Sequence, residues 1–208
     1  NKKLYSSFFS KTEGDNEALE FVKKITNTTK VNYKPLASTE NNLRYTVGII
    51  IAASGNEKRW SIENYLKVIQ FLKEKNYKKF LIISGLDQSK DEYLIKEKFR
   101  DSIDIVFTSD KKIEDVIPYL KRCKFCIGND TGFAHLSVNL DIETIVIQGD
   151  CPPQNYSVLL KHIDIEPSVT RSPISIQTIE VEKVLNELSN FLNRRGGRVV
   201  EGARLESV

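Results

Sequence analysis

Five short apolar runs separated by loops and helix-periodic segments restrict the folds open to this chain more than any other feature. The first, Val47-Gly48-Ile49-Ile50-Ile51, precedes a loop from Ala52 to Arg59 and a segment with apolar residues Ile62, Tyr65, Leu66, Ile69 and Leu72. That is the three, four, seven spacing of a helix with one buried face. The alternation continues with strands expected over 80–84, 104–108, 125–128 and 144–148, and with helices over 93–99, over 113–122 and from Gly132. A final amphipathic helix carries Val181, Val184, Leu185, Leu188 and Leu192, and Pro118 is expected to kink the 113–122 helix or to mark its first turn. Apolar strands with helices between them specify an α/β fold, a parallel sheet with helices on both faces.

In such sheets ligands lie beyond the carboxyl ends of the strands, and three loops at that rim carry polar or charged residues. The first holds Ser54-Gly55-Asn56-Glu57-Lys58-Arg59-Trp60, the second runs from Gly85 to Glu92, and the fourth is Gly128-Asn129-Asp130-Thr131-Gly132-Phe133-Ala134-His135. The fifth, Gly149-Asp150-Cys151-Pro152-Pro153, is expected to be a rigid turn. The fourth is the most informative, because it gathers an acid, a hydroxyl, a glycine and a histidine where a strand turns into a helix. The first N–H groups of a helix have no intrahelical partner and carry the positive end of its dipole, so an anionic group such as a phosphate fits there. Gly132 lets a ligand approach the backbone, Thr131 adds a hydroxyl donor, and His135 faces the same mouth one turn on. Against this stands a plainer reading: Asp130 or Thr131 caps the helix and His135 packs in the core. In the first loop, likewise, Lys58 fits a solvated cation and Trp60 simple packing. Neither the dinucleotide Gly-x-Gly-x-x-Gly pattern nor the Gly-x-x-x-x-Gly-Lys-Ser/Thr phosphate loop is present.

Composition narrows the remaining classes. With 208 residues, 40% apolar and 28% charged, the chain has enough apolar sequence for one substantial core. No apolar run approaches the ~20 residues that cross a bilayer, and no signal-peptide pattern opens the chain, so a cytoplasmic location is expected. The chain begins at Asn1 and contains no Met, which suggests an internal or C-terminal piece of a longer protein. Residues 1–43 read as an arm or interdomain connector, 44–193 as the folded domain, and 194–208, without periodicity, as a disordered or vector-derived tail. Setting aside that tail's four Arg and two Glu lowers the net charge from +3 to +1, so the basic pI does not argue for nucleic acid. Cys123 and Cys126 form a Cys-x-x-Cys pair, but Cys126 lies inside an apolar run and only Cys151 remains as a further thiol, so buried structural cysteines are expected rather than a redox or zinc pair.

The first and fourth loops together resemble a known family. Gly55-Asn56-Glu57-Lys58-Arg59-Trp60 with its following helix, and Ile127-Gly128-Asn129-Asp130-Thr131-Gly132 with His135-Leu136, look like the donor half of glycosyltransferase family 9, the heptosyltransferases of bacterial lipopolysaccharide core assembly. The similarity spans about 44–192. It implies the C-terminal half of a GT-B type enzyme, a Rossmann-like domain that holds the nucleotide sugar, expected to be ADP-heptose as substrate with no further cofactor. Ser54 and Lys58 would then reach the donor's phosphates or sugar, Asp130, Thr131 and Gly132 would hold diphosphate and heptose with His135 beside them, and Glu92, with Asp91 as runner-up, would bind the ribose. The family's proposed base, an aspartate, belongs to the N-terminal half. The chain departs from the family pattern at Phe133, at Asp141-Ile142-Glu143 and at Gly149-Asp150-Cys151.

The implied reaction inverts the anomeric carbon in a single displacement by an acceptor hydroxyl of a glycolipid or glycan, with peripheral contact at the inner membrane surface a further expectation. Charge developing on the diphosphate would fall to Lys58, the Thr131 hydroxyl and the helix start at Gly132; such donors are typically worth about 3–4 kcal/mol each. No carboxylate cluster for Mg²⁺ is apparent, so metal independence is expected. Two alternatives stay open: another GT-B enzyme using a UDP or GDP sugar, and a non-catalytic domain that kept the fold.

Overall fold

The run Thr46–Ile50 forms strand β1, with Val47 and Ile49 on one face and Gly48 and Ile50 on the other, so an apolar stretch without alternation feeds two cores at once. The computed structural model describes residues 46–149, 156–164 and 175–205; the expected arm over 1–43, the turn over 150–153 and Cys151 lie outside the described residues. After β1 come helix α1 (Ile62–Glu74), β2 (Lys79–Ile83), α2 (Ser89–Phe99), β3 (Asp104–Phe107), α3 (Ile113–Leu120), β4 (Cys123–Asn129) and α4 (Gly132–Asn139). The described chain closes with β5 (Thr144–Gln148), β6 (Leu160–Asp164) and α5 (Val181–Leu205).

The sheet is parallel throughout, in the order β3-β2-β1-β4-β5-β6. On one face, Tyr65, Val68, Ile69 and Leu72 of α1, Ile95 and Phe99 of α2, and Val184, Leu188 and Phe191 of α5 pack on Val47, Ile49, Phe80, Phe125 and Ile145. On the other, Val116 and Leu120 of α3 and Ala134 and Val138 of α4 cover Ile50, Leu81, Ile83 and Val146. This is the Rossmann-like sheet the sequence called for.

Several helices stop without glycine. Asn76, Asp101 and Asp141, each just past a helix, take positive φ of 67°, 60° and 64°, a conformation that Asn and Asp tolerate better than other side chains. At its other end α1 starts at Ser61, whose hydroxyl accepts the Asn64 N–H at 3.3 Å.

Three expectations are refined and one, for the cysteines, is upheld. A sixth strand, β6, pairs with β5 at the sheet edge; its Leu-Lys-His-Ile-Asp lacks the apolar continuity of the central strands. Pro118 stands in the last turn of α3, two residues before its end, and not in the first. Both thiols of the Cys-x-x-Cys pair are buried and free within β4. A Cβ on Gly48 would sit 2.5 Å from Cys126 Sγ, so this glycine in the neighbouring strand makes room for the thiols. A hydrogen bond with Cys126, added to burial, pushes the Cys123 thiol well up, away from the reactive thiolate. Finally, α5 continues to Leu205, through most of the stretch read as a tail; Arg195 ion-pairs with Glu143 and its guanidinium lies 5.4 Å from the Phe191 ring centroid.

Candidate donor site

After β1 the chain moves outward to β2 and β3, then returns to lay β4 on the opposite side of β1. The carboxyl ends of β1 and β4 therefore flank the point where the winding reverses, and the loops there diverge to leave a crevice. The two motif-bearing loops, 51–61 and 129–131, are the ones that leave these two strands.

Asn129, the last residue of β4, ties the two sides together. It is fully buried; its Nδ2 donates to the Ile51 carbonyl at 2.8 Å, and its Oδ1 accepts the Trp60 N–H at 3.1 Å and lies 2.8 Å from the Tyr65 hydroxyl. The Tyr65 hydroxyl also lies 3.2 Å from the Ile50 carbonyl, and burial pushes the phenol well up, so it stays neutral. Trp60, meanwhile, is buried, packs edge-on against Tyr65 and donates its indole N–H to the Ile179 carbonyl at 2.9 Å. It is a packing residue.

The adjacent cations of the first loop divide their work. Lys58 ends a 3₁₀ turn, Asn56–Lys58, and is half-buried. Arg59 donates to Asn56 Oδ1 at 3.0 Å and to the Ala53 carbonyl at 3.2 Å, and pairs with Asp87 of the second loop at 2.5 Å. Hydrogen bonding to Arg59 holds the Asp87 carboxyl below the ordinary carboxylate range. The second loop is also tied down by Gln88, which is buried, donates to the Ile51 carbonyl at 2.9 Å and accepts the Gly85 N–H at 2.9 Å. Ser54 is exposed on the first loop.

At the start of α4, Thr131 occupies the N-cap position with extended backbone (φ −147°, ψ 169°), yet its hydroxyl makes no capping bond. Its Oγ1 is buried and has no hydrogen-bond partner among the described residues. Gly132 follows as the first helical residue; a Cβ built there would meet nothing within 4 Å, so open space faces the helix start. The plain capping reading of Thr131 therefore fails: its buried hydroxyl is an orphan, and the first helical residue beside it faces open space. Asp130 Oδ1 lies 3.1 Å from Nε2 of His135, whose Nδ1 lies 2.6 Å from the Tyr156 hydroxyl. Both side chains stay about a quarter exposed, so His135 is not a core residue.

Glu92, in the first turn of α2, accepts hydrogen bonds from the Ser84 hydroxyl and, at 3.0 Å, from that of Ser109. These serines follow β2 and β3, which fixes the carboxylate beyond the ends of both strands. Asp91 turns instead toward Gln88 at 3.4 Å. The structure thus gathers Asp130, Thr131, Gly132 and His135 at one helix start, ties the loop of Ser54 and Lys58 to the end of β4 through Trp60 and Asn129, and sets Glu92 farther along the rim. Gln88 and Tyr156 were not singled out in the sequence, and Arg59 and Asn129 stood in its motifs without a role of their own. Among the described residues no three His, Cys, Asp or Glu side chains converge on a metal position.

A family model described as glycosyltransferase family 9 (heptosyltransferase) matches residues 11–174. The chain belongs to glycosyltransferase family 9. No curated protein matches it significantly. Among solved structures of the same fold are E. coli ADP-heptose lps heptosyltransferase II (18% identity, TM-score 0.62, covering 75% of this chain and 49% of that one) and E. coli heptosyltransferase WaaC with ADP (18%, 0.60, 89% and 51%). A glycosyl transferase family 9 protein from Veillonella parvula is similar at 14% identity and TM-score 0.69, with 90% of this chain and 62% of that one covered. The chain therefore spans about half the length of the two E. coli enzymes. At these identities the likeness bears on the fold: this is a GT-B type half.

Proposed function

We propose that this chain is the donor-binding half of an inverting heptosyltransferase that moves heptose from ADP-heptose to a lipopolysaccharide core or related glycan acceptor. The observation that carries the reading is the buried, unpartnered Thr131 hydroxyl at the start of α4, beside the open space over Gly132. A diphosphate oxygen in that space would accept from the first helix N–H groups and, once the Thr131 side chain turns outward, from its hydroxyl, giving that orphan donor a partner. The family, together with two fold neighbours, an ADP-heptose heptosyltransferase and a heptosyltransferase with ADP, favours ADP-heptose over other nucleotide sugars.

In the proposed reaction the acceptor oxygen forms a bond to the anomeric carbon as the bond from that carbon to the diphosphate oxygen breaks. The acceptor's proton passes to a base contributed from outside this chain, and ADP leaves with the bonding electrons. Negative charge growing on the diphosphate is met by the Thr131 hydroxyl and Lys58, donors worth about 3 kcal/mol each when preorganised, and by the α4 dipole, worth up to about 2 kcal/mol. Glu92, held by Ser84 and Ser109, retains acceptor capacity for ribose hydroxyls. Asp130 takes hydroxyls of the heptose. Contact with the membrane surface is part of the proposal only through the acceptor; no helix among the described residues is long and apolar enough to span a bilayer.

The test is a thermal-shift titration of the 208-residue chain with ADP, UDP, GDP and ADP-heptose. At a hundred times its dissociation constant a ligand adds about 2.7 kcal/mol of stability. Selective stabilisation by the adenine compounds, lost in Asp130→Ala, supports the reading. Equal response to UDP or GDP compounds replaces the donor, and no response to any nucleotide removes the function from this chain.

A further inference from the structure

Tyr156 belongs to none of the motifs in the sequence, yet its hydroxyl lies 2.6 Å from Nδ1 of His135. It comes from the segment before β6, whereas Asp130 and His135 come from the β4–α4 turn, so this contact adds a polar link between two segments that also share an apolar cluster. The two rings are 5.6 Å apart and tilted by 38°, an arrangement in which the hydroxyl, not ring stacking, makes the contact.

The other ring nitrogen fixes the proton inventory. An ionised Asp130 only accepts, so Nε2 at 3.1 Å must carry the hydrogen. A neutral imidazole has one N–H, which leaves Nδ1 as acceptor and makes the Tyr156 hydroxyl its donor. The backbone of His135 is held as well, its N–H 3.3 Å from the Thr131 carbonyl and its carbonyl accepting Asn139 Nδ2 at 2.7 Å. With both ring nitrogens engaged, His135 has no ring proton to offer a sugar hydroxyl without giving up Asp130. Its contribution is to aim that carboxylate, whose remaining lone pairs are available to a ligand.

We propose that Tyr156 is a positioning residue: it locks His135 as the Nε2–H tautomer, and the ring so fixed orients the Asp130 carboxylate for the hydroxyls of the donor sugar. The functional half of this rests on the donor-site reading above; the tautomer lock does not.

The chain has two histidines, so the ring nitrogens of ¹⁵N-labelled protein give few signals, and His135→Asn assigns them. His162, which bonds Gln148 across β5 and β6, serves as internal control. Wild type is expected to show His135 as a single Nε2–H tautomer, and Tyr156→Phe, which keeps the ring and removes only the hydroxyl, is expected to mix the tautomers while the His162 signals stay put. Unchanged His135 signals would overturn the lock, and a change spreading to His162 would mean that Tyr156 holds the β6 segment and not the ring. In parallel, ADP-heptose binding by calorimetry should weaken about fivefold in Tyr156→Phe, as for loss of one hydrogen bond, and not further when Tyr156→Phe is added to His135→Asn. An equal loss in both backgrounds would overturn action through His135. If wild type binds no ADP-heptose while the ring signals respond to Tyr156→Phe, the donor-site reading falls and with it the functional half, and the lock stands.

Discussion

Replacing Thr131 by Val should stabilise the empty chain and weaken its hold on the donor, two effects of opposite sign from one atom. The hydroxyl is buried and unpartnered among the described residues, so the ligand-free protein carries the desolvation cost of a polar atom that returns nothing, about 1–3 kcal/mol. Valine puts a methyl in its place and is at ease at the extended backbone of residue 131. A gain of about 1 kcal/mol corresponds to roughly 2–4 °C in melting temperature for a domain of this size. Binding moves the other way. A hydrogen bond to a charged phosphate oxygen is worth about 1.5–3 kcal/mol, so ADP-heptose affinity should fall about tenfold to a hundredfold. Melting curves and calorimetric titrations of the two proteins measure both. Were Thr131 an ordinary N-cap, the substitution would cost about 1 kcal/mol of stability and leave affinity nearly untouched, and that pair of results would refute the reasoning.

Three further outcomes follow from the same geometry. Asn129→Ala removes every bond that its side chain makes at the buried crevice and should lower the unfolding free energy by about 3 kcal/mol, read as a drop in the urea midpoint. Arg59→Ala frees Asp87, whose carboxyl is depressed in the folded state; such a group contributes stability above its unfolded pKa that disappears as pH falls through the folded one. The pH-dependent part of the wild-type advantage should therefore be constant near neutrality and fade below about pH 4, as followed by urea unfolding across pH. Lys58→Ala in the whole enzyme should cut transfer more than tenfold without unfolding it; equal turnover would remove Lys58 from the site.

The central strands were legible because burial on both faces leaves little choice but an apolar run, and β1, β2, β4 and β5 announce themselves that way. Edge strand β6 did not, since Lys161, His162 and Asp164 remain partly open to solvent and interrupt the pattern. In the site, the helix start at Thr131-Gly132 was legible from local chemistry alone: strand, small residue, helix. Nothing local separates Lys58 from Arg59, and only the three-dimensional position of Asp87, in the next loop, commits Arg59 to bracing the rim. Asn129 is similar. It reads as a loop residue within the motif, and its role appears once Ile51, Trp60 and Tyr65 are seen converging on one amide. Tyr156 lies twenty-one residues from His135, a separation at which side-chain pairing leaves no periodic trace.

The central claim is that the α4 start is the diphosphate site. Solving the structure of this chain with ADP-heptose bound tests it most directly. The account predicts diphosphate oxygens within hydrogen-bonding distance of Thr131 Oγ1 and the Gly132 N–H, the ribose at Glu92 and the heptose beside Asp130. A nucleotide sugar seated elsewhere, with the Thr131 hydroxyl still unpartnered, would contradict it.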